Sequence, residues 1–101
     1  MIPRRLLPQT VQIAAYLGRG AEGDVWAPPV SARARVELEQ TMVRGADGAE
    51  LLSSATVFVR PSTAAAIGSL VTLPDSSQRR VLVRGEHVGR RRVELVSLHL
   101  E

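Results

Sequence analysis

Short runs of alternating apolar and polar residues make up most of this chain of 101 residues. One run covers residues 54–61 and ends at Pro61, and another covers residues 68–75, where Gly68 and Pro74 bound a short apolar stretch. Period-two alternation of β-branched residues predicts strands, and proline ends a ladder because it has no amide hydrogen to donate. The pattern therefore predicts an all-β protein.

The same alternation predicts five or six antiparallel strands, which cover residues 10–17, 32–38, about 50–60, 70–73, about 79–84 and 92–100. Glycines at 45 and 48 and the turn at 74–78 are expected to join hairpins. A change of parity in the last strand predicts a bulge or burial on both faces. Because closure removes exposed edges, we expect a small antiparallel β-barrel.

One core is predicted to collect nine residues at alternating strand positions. They are Val11, Ile13, Val36, Leu38, Val57, Val59, Val71, Leu73 and Val81.

Two segments depart from the strand pattern. Residues 18–30 combine several glycines with Pro28 and Pro29, which predicts a long, protruding and mobile loop after the first strand that becomes ordered against a neighbouring molecule. Trp26 in this loop is expected either to pack on its own barrel or to be buried in a partner. Further along, Ser62 is a candidate N-cap for one helical turn over residues 63–67.

Charge is distributed unevenly along the chain. All 13 basic residues are arginine, and the net charge is +3. Residues 1–20 contain three arginines and no acid, residues 21–60 have more acids than arginines, and residues 61–101 are again basic. Such polarity suits head-to-tail contacts between neighbouring subunits.

No pattern of residues predicts catalysis, a metal or a cofactor. The chain has no cysteine, and neither His87 nor His99 has ligand spacing or a clustered carboxylate. Residues 18–23 match GxGxxG but lack the strand and helix that phosphate binding needs. No apolar stretch approaches the length of a membrane span or a signal peptide. We expect a single domain over residues 1–101 that is not an enzyme.

Arginines form one sizeable basic cluster, at positions 79, 80, 84 and 90–92. Small barrels bind nucleic acid through such surfaces, usually with stacking aromatics among the arginines. This region has no aromatic residue, which favours a subunit contact or a solvated face over a single-stranded nucleic-acid site.

An ordered series of turn and strand segments resembles a known family. The segments are residues 2–11, the excursion from Tyr16-Leu17-Gly18 to Pro28-Pro29-Val30, Gly48, residues 54–57, Arg60-Pro61, Gly68-Ser69 and residues 71–75. Together they resemble the head-to-tail stopper (head-closure) proteins of long-tailed phages of actinobacteria. In one departure, Ser76 and Ser77 follow Asp75 where a glycine is expected to close the turn.

The resemblance implies a subunit of a closed ring, a hexamer or a dodecamer, in the neck of a virion assembled in the bacterial cytoplasm. The ring would lie between the portal–adaptor complex and the tail terminator or tail-tube protein. It would close the channel on packaged double-stranded DNA, which it contacts nonspecifically, and it would contact no membrane. A minor tail protein and a single-stranded nucleic-acid-binding module are the alternatives.

In this interpretation residues 1–9 are an extended N-terminal arm, and eleven residues are candidates for interfaces or the channel loop. These are Arg4, Arg5, Arg19, Glu22, Asp24, Trp26, Arg79, Arg80, Arg90, Arg91 and Arg92.

Overall fold

A computed structural model describes residues 7–45, 47–88 and 93–101, and these residues form ten strands. The strands are β1 (Gln9–Ala14), β2 (Tyr16–Gly20), β3 (Gly23–Trp26), β4 (Val30–Glu37), β5 (Thr41–Arg44), β6 (Glu50–Ser53), β7 (Ala55–Val59), β8 (Leu70–Thr72), β9 (Gln78–Val88) and β10 (Val93–Leu100). The described residues contain no helix.

Six strands close into a barrel in the order β1-β4-β7-β10-β9-β8, and every neighbouring pair, including the closing pair β1 and β8, is antiparallel. This confirms the predicted all-β barrel. The remaining strands form two small ribbons, the β2–β3 ribbon and the β5–β6 ribbon.

Apolar side chains from all six barrel strands fill one core. Of the nine predicted core residues, seven are buried and Val36 packs partly buried against them. Leu38 is the exception, with 68% of its surface exposed, because β4 ends at Glu37 and the chain has already left the barrel. Leu17 is 66% exposed for the same reason, since β1 ends at Ala14.

The two ribbons belong to opposite ends of the barrel. The β2–β3 ribbon is inserted between β1 and β4, and the β5–β6 ribbon between β4 and β7. Because β1, β4 and β7 are successively antiparallel neighbours, these two connections lie at opposite ends of β4. We call the end with the β2–β3 ribbon the upper end and the other the lower end.

The prediction of an irregular loop over residues 18–30 is wrong, because most of this segment is the β2–β3 ribbon. Gly18 has φ of 119° at a register shift between the strands, and Gly23 has φ of 114° beside the turn. These glycines permit a bulge and a tight return that other residues resist. The ribbon was not predicted because it lacks a buried apolar face and therefore an alternating signal.

Hairpins with short turns were predicted well. Gly45 and Gly48 lie between β5 and β6, where the Gly45 amide donates to the Ala49 carbonyl over 2.8 Å. The predicted strand over residues 50–60 is divided at Ser54, whose amide donates to the Leu100 carbonyl as the chain enters the barrel. The β9–β10 pair has register shifts at Val93/Leu95 and His99/Leu100, as expected from a bulge, which was one of the two alternatives predicted for the last strand.

The turn between β8 and β9 closes without the expected glycine. Ser76 adopts φ of 71°, the left-handed conformation that glycine usually supplies. The Asp75 carboxylate accepts hydrogen bonds from the Ser77 hydroxyl and amide, which lower the pKa of Asp75. The side chains around Ser76 thus stabilise a backbone conformation that serine disfavours.

The helical turn predicted over residues 63–67 is absent. Thr63 donates its amide to the Arg60 carbonyl, and Ser69 donates to the Ala66 carbonyl, which makes two separate turns. A single helical turn is costly to nucleate, and burial of Ala65 holds the segment against the barrel core instead.

Candidate functional site

Trp26 attaches the β2–β3 ribbon to the barrel. Its indole Nε1–H donates a hydrogen bond of 2.9 Å to the Gly68 carbonyl, and its ring lies 6.0 Å from that of Tyr16. The Tyr16 amide donates to the Oγ of Ser69, a fully buried residue. Of the two predicted environments for Trp26, the structure has the first, in which the side chain packs on its own barrel.

Asp24 is the electrostatic centre of this cluster. Its carboxylate accepts a hydrogen bond of 2.9 Å from the Tyr16 hydroxyl and lies 3.8 Å from Arg19 Nε and 3.9 Å from Arg80 Nη2. The hydrogen bond to the carboxylate, then desolvation and the negative charge nearby, raise the pKa of Tyr16 above its usual value. Arg80 also lies over the Trp26 ring, with Cζ 5.8 Å from the centroid, which is a cation–π distance.

Gly68 is required here for two reasons. Its φ of 93° is unfavourable for any residue with a side chain, and a Cβ at this position would come within 3.2 Å of the Tyr16 ring. The close approach brings the Gly68 carbonyl within reach of Trp26.

The described arginines of the basic cluster do not converge on one groove. Arg80 faces Asp24 and Trp26, whereas Arg79 donates to the Ser54 hydroxyl and, over 3.4 Å, to the Ser77 hydroxyl. Arg84 donates to Glu86 over 2.8 Å. Convergence on an aromatic-lined groove was the feature expected of a nucleic-acid module, and these three arginines do not show it.

The other predicted interface residues are either exposed on the ribbon or undescribed. Arg19 and Glu22 are exposed on the β2–β3 ribbon and its turn, which suits a contact surface. Arg4, Arg5, Arg90, Arg91 and Arg92 lie outside the described residues.

A groove at the upper end was not predicted. It has a volume of about 530 Å³ and is lined mainly by apolar residues, among them Ala27, Pro28 and Val30, together with Arg33 and Arg60. Ala34 pairs with Val59 across β4 and β7, so Arg33 and Arg60, one position further in that antiparallel register, lie side by side. Because Arg33 and Arg60 are distant in the sequence, no local sequence pattern predicts the groove.

Arg33 in this groove has a buried polar atom without a partner. Its Nε is shielded from solvent and has no hydrogen-bond acceptor among the described residues. Buried guanidinium nitrogens are almost always paired, since an unmade hydrogen bond there costs about 1–3 kcal/mol. Arg33 is therefore a charged residue in a lining that is otherwise mainly apolar.

The lower end has a different character. Met42 and Leu52 are paired across the β5–β6 ribbon and are exposed at 58% and 55%. Residues 37–52 contain four acids, at positions 37, 39, 47 and 50, against a single arginine, Arg44. This end presents an acidic surface with an exposed apolar pair.

The structure assembles no metal site from its described residues, in which no group of three or more His, Asp and Glu side chains comes together. His99 Nδ1 lies 3.2 Å from the Thr56 hydroxyl in the β7–β10 pair. His87 lies within strand β9. Within the described part of the chain, no helix has the length and hydropathy to cross a membrane.

Comparison with known proteins adds no relative: no protein-family model, no curated protein and no solved structure matches the chain.

Proposed function

We propose that this chain is a structural subunit of the head–tail connector of a long-tailed phage, of the stopper type. In that role it forms a ring between the portal–adaptor complex and the tail in the virion neck. The ring closes the channel on packaged DNA and provides the surface to which the tail docks.

The observation that carries the proposal is a closed barrel with unlike ends. Arginines line a groove at the upper end, and acids surround an exposed apolar pair at the lower end. A ring wall requires a compact unit whose opposite surfaces are complementary to different neighbours. The sequence resemblance points to the same role independently of these surfaces.

The β2–β3 ribbon suits a contact element in this role. It is fixed at its base by Trp26, whereas Arg19 and Glu22 towards its turn are exposed. A ribbon anchored in this way loses less conformational entropy on docking than a free loop does.

Deleting the gene from the phage genome that encodes the chain tests the proposal. We expect heads that package DNA but do not join tails and that lose DNA on purification. Supplying the chain in trans should restore tailed particles. Normal tailed, infectious particles from the deletion would contradict the proposal.

DNA binding distinguishes the connector from a single-stranded nucleic-acid module. We expect the isolated chain to bind DNA weakly, with an affinity that falls steeply with salt, as nonspecific phosphate contacts do. Charge reversal at Arg90, Arg91 and Arg92 should impair particle assembly, with reversal of Arg35, an exposed arginine of β4 outside the groove lining, as the matched control. Tight, salt-tolerant binding to single strands would favour the alternative function.

A further inference from the structure

We propose that the upper groove with Arg33 and Arg60 binds the acidic β5–β6 ribbon of a second copy of this chain. The inference rests on the proposed function and deepens it, because it assigns a self-contact between subunits to two particular surfaces. The contact is heterologous: groove and ribbon are different surfaces of each copy.

The charge of the groove indicates which surface would suit it. Arg33 lines the groove, and the strongest acceptor for a guanidinium is a carboxylate. A second guanidinium beside it, that of Arg60, adds positive charge to the same wall. A surface that presents an anion together with apolar side chains would therefore complement both the charge and the apolar part of the lining.

The β5–β6 ribbon carries both features. Met42 and Leu52 form an exposed apolar pair on one face, and Glu39 is exposed close to the start of the ribbon. Leu38, next to Glu39, adds a further apolar side chain that is 68% exposed. In this contact the apolar side chains of the ribbon would fill the groove, and a carboxylate of the ribbon would lie at Arg33. The exposed apolar side chains of both surfaces would then be buried.

A chain cannot make this contact with itself. The groove lies where β4 begins and β7 ends, whereas the ribbon follows the end of β4 and precedes β7. The two surfaces are thus separated by the length of the β4–β7 pair. Contacts between opposite ends join copies head to tail, and such contacts generate a ring when the rotation closes.

Two variants and their mixture test the contact. The groove variant is Arg33→Glu, and the ribbon variant is Met42→Ser with Leu52→Ser. Each should weaken self-association measured by sedimentation velocity at least tenfold. An equal mixture should form a dimer of one copy of each and nothing larger, because only one intact groove and one intact ribbon remain to pair.

Matched controls exclude general surface effects. Arg35→Glu reverses a charge on the same strand outside the groove lining, and Leu17→Ser removes an exposed apolar residue from the other ribbon. Both should associate like the unaltered chain. Should Arg33→Glu lose the far-ultraviolet circular dichroism of the folded chain, Val30→Asp provides a second groove variant at an exposed position.

The contact is overturned if the unaltered chain stays monomeric at its highest soluble concentration, or if the mixture forms no dimer. A monomeric chain that nevertheless occupies the neck of virions would overturn the contact and leave the proposed function intact. Head-to-tail dimers from the mixture, with normal tailed particles after gene deletion, would overturn the proposed function alone.

Discussion

At the scale of single residues, one indole joins the β2–β3 ribbon to the barrel. Trp26 donates to the Gly68 carbonyl, Arg80 lies over its ring, and Asp24 in the same strand binds Tyr16. The composition marked Trp26 as notable, but a single aromatic residue does not reveal its partner. That partner is the carbonyl of Gly68, where a positive φ and a close approach to the Tyr16 ring both favour glycine.

Replacing this indole tests the attachment. We expect Trp26→Ala to lower the free energy of unfolding by about 2 kcal/mol, roughly half the cost of truncating a fully buried tryptophan. Urea unfolding followed by far-ultraviolet circular dichroism measures the loss. Amide exchange in residues 18–20 and 23–26 should accelerate more than exchange in the barrel.

Val25→Ala, at an exposed position in the same strand, is the control and should change the unfolding free energy little. Equal stability of the Trp26 and Val25 variants would refute the anchoring role of the indole.

The hydrogen bond from Tyr16 to Asp24 predicts a pH effect. The folded chain raises the pKa of Tyr16 above the value of 10.0 expected in the unfolded chain, so it holds the phenolic proton more tightly. The tighter proton binding stabilises the folded chain fully at pH values below the pKa of Tyr16 in the unfolded chain. This stabilisation is lost as the pH rises through the pKa of Tyr16 in the folded chain.

Urea midpoints at a series of alkaline pH values should therefore fall more steeply for the unaltered chain than for Tyr16→Phe, which has no phenolic proton. Parallel curves would show that Tyr16 does not contribute.

At the scale of elements, predictability depended on how close paired strands are in the sequence and on whether one of their faces is buried. The β8–β9 and β5–β6 hairpins were predicted because their turns and both strands are adjacent in the chain. The β2–β3 ribbon is equally local but was missed, since its strands lack the alternation that burial of one face imposes. Arg33 and Arg60 meet only through β4 and β7, whose register no local pattern specifies.

Ser76 provides a test at this scale. We expect Ser76→Gly to stabilise the chain by about 0.5 to 1 kcal/mol, because relief of the left-handed strain exceeds the extra backbone entropy of glycine in the unfolded state. Thermal unfolding by circular dichroism measures the gain.

Ser62→Gly is the matched control, since Ser62 is an exposed turn residue without a positive φ, and it should lower stability. A loss of stability in the Ser76 variant would show that its turn is not strained.

At the scale of the whole molecule, the two ends of the barrel differ in charge. The acidic middle of the sequence predicted head-to-tail complementarity, and the structure collects four of its acids at the lower end, within residues 37–52. The all-β class, barrel closure and most of the core followed from periodicity. The groove at the upper end was not predicted, because it depends on the pairing of strands that are distant in the sequence.

Ionic strength should affect self-association through the opposite charges of the two ends. If opposite charges steer the two ends together, self-association of the unaltered chain should weaken as ionic strength rises. Sedimentation velocity over a salt series measures the change, and the Arg35→Glu control should retain the same salt dependence. Association that is independent of salt would mean that apolar burial alone joins the copies.

Cryo-electron microscopy of the neck of phage particles, the location that the proposed function assigns to this chain, tests that function most directly. We predict a ring of these barrels between the portal–adaptor complex and the tail, with the β5–β6 ribbon of each copy in the Arg33 groove of the next. Density that places the chain elsewhere in the particle, or particles that lack it altogether, would contradict the account.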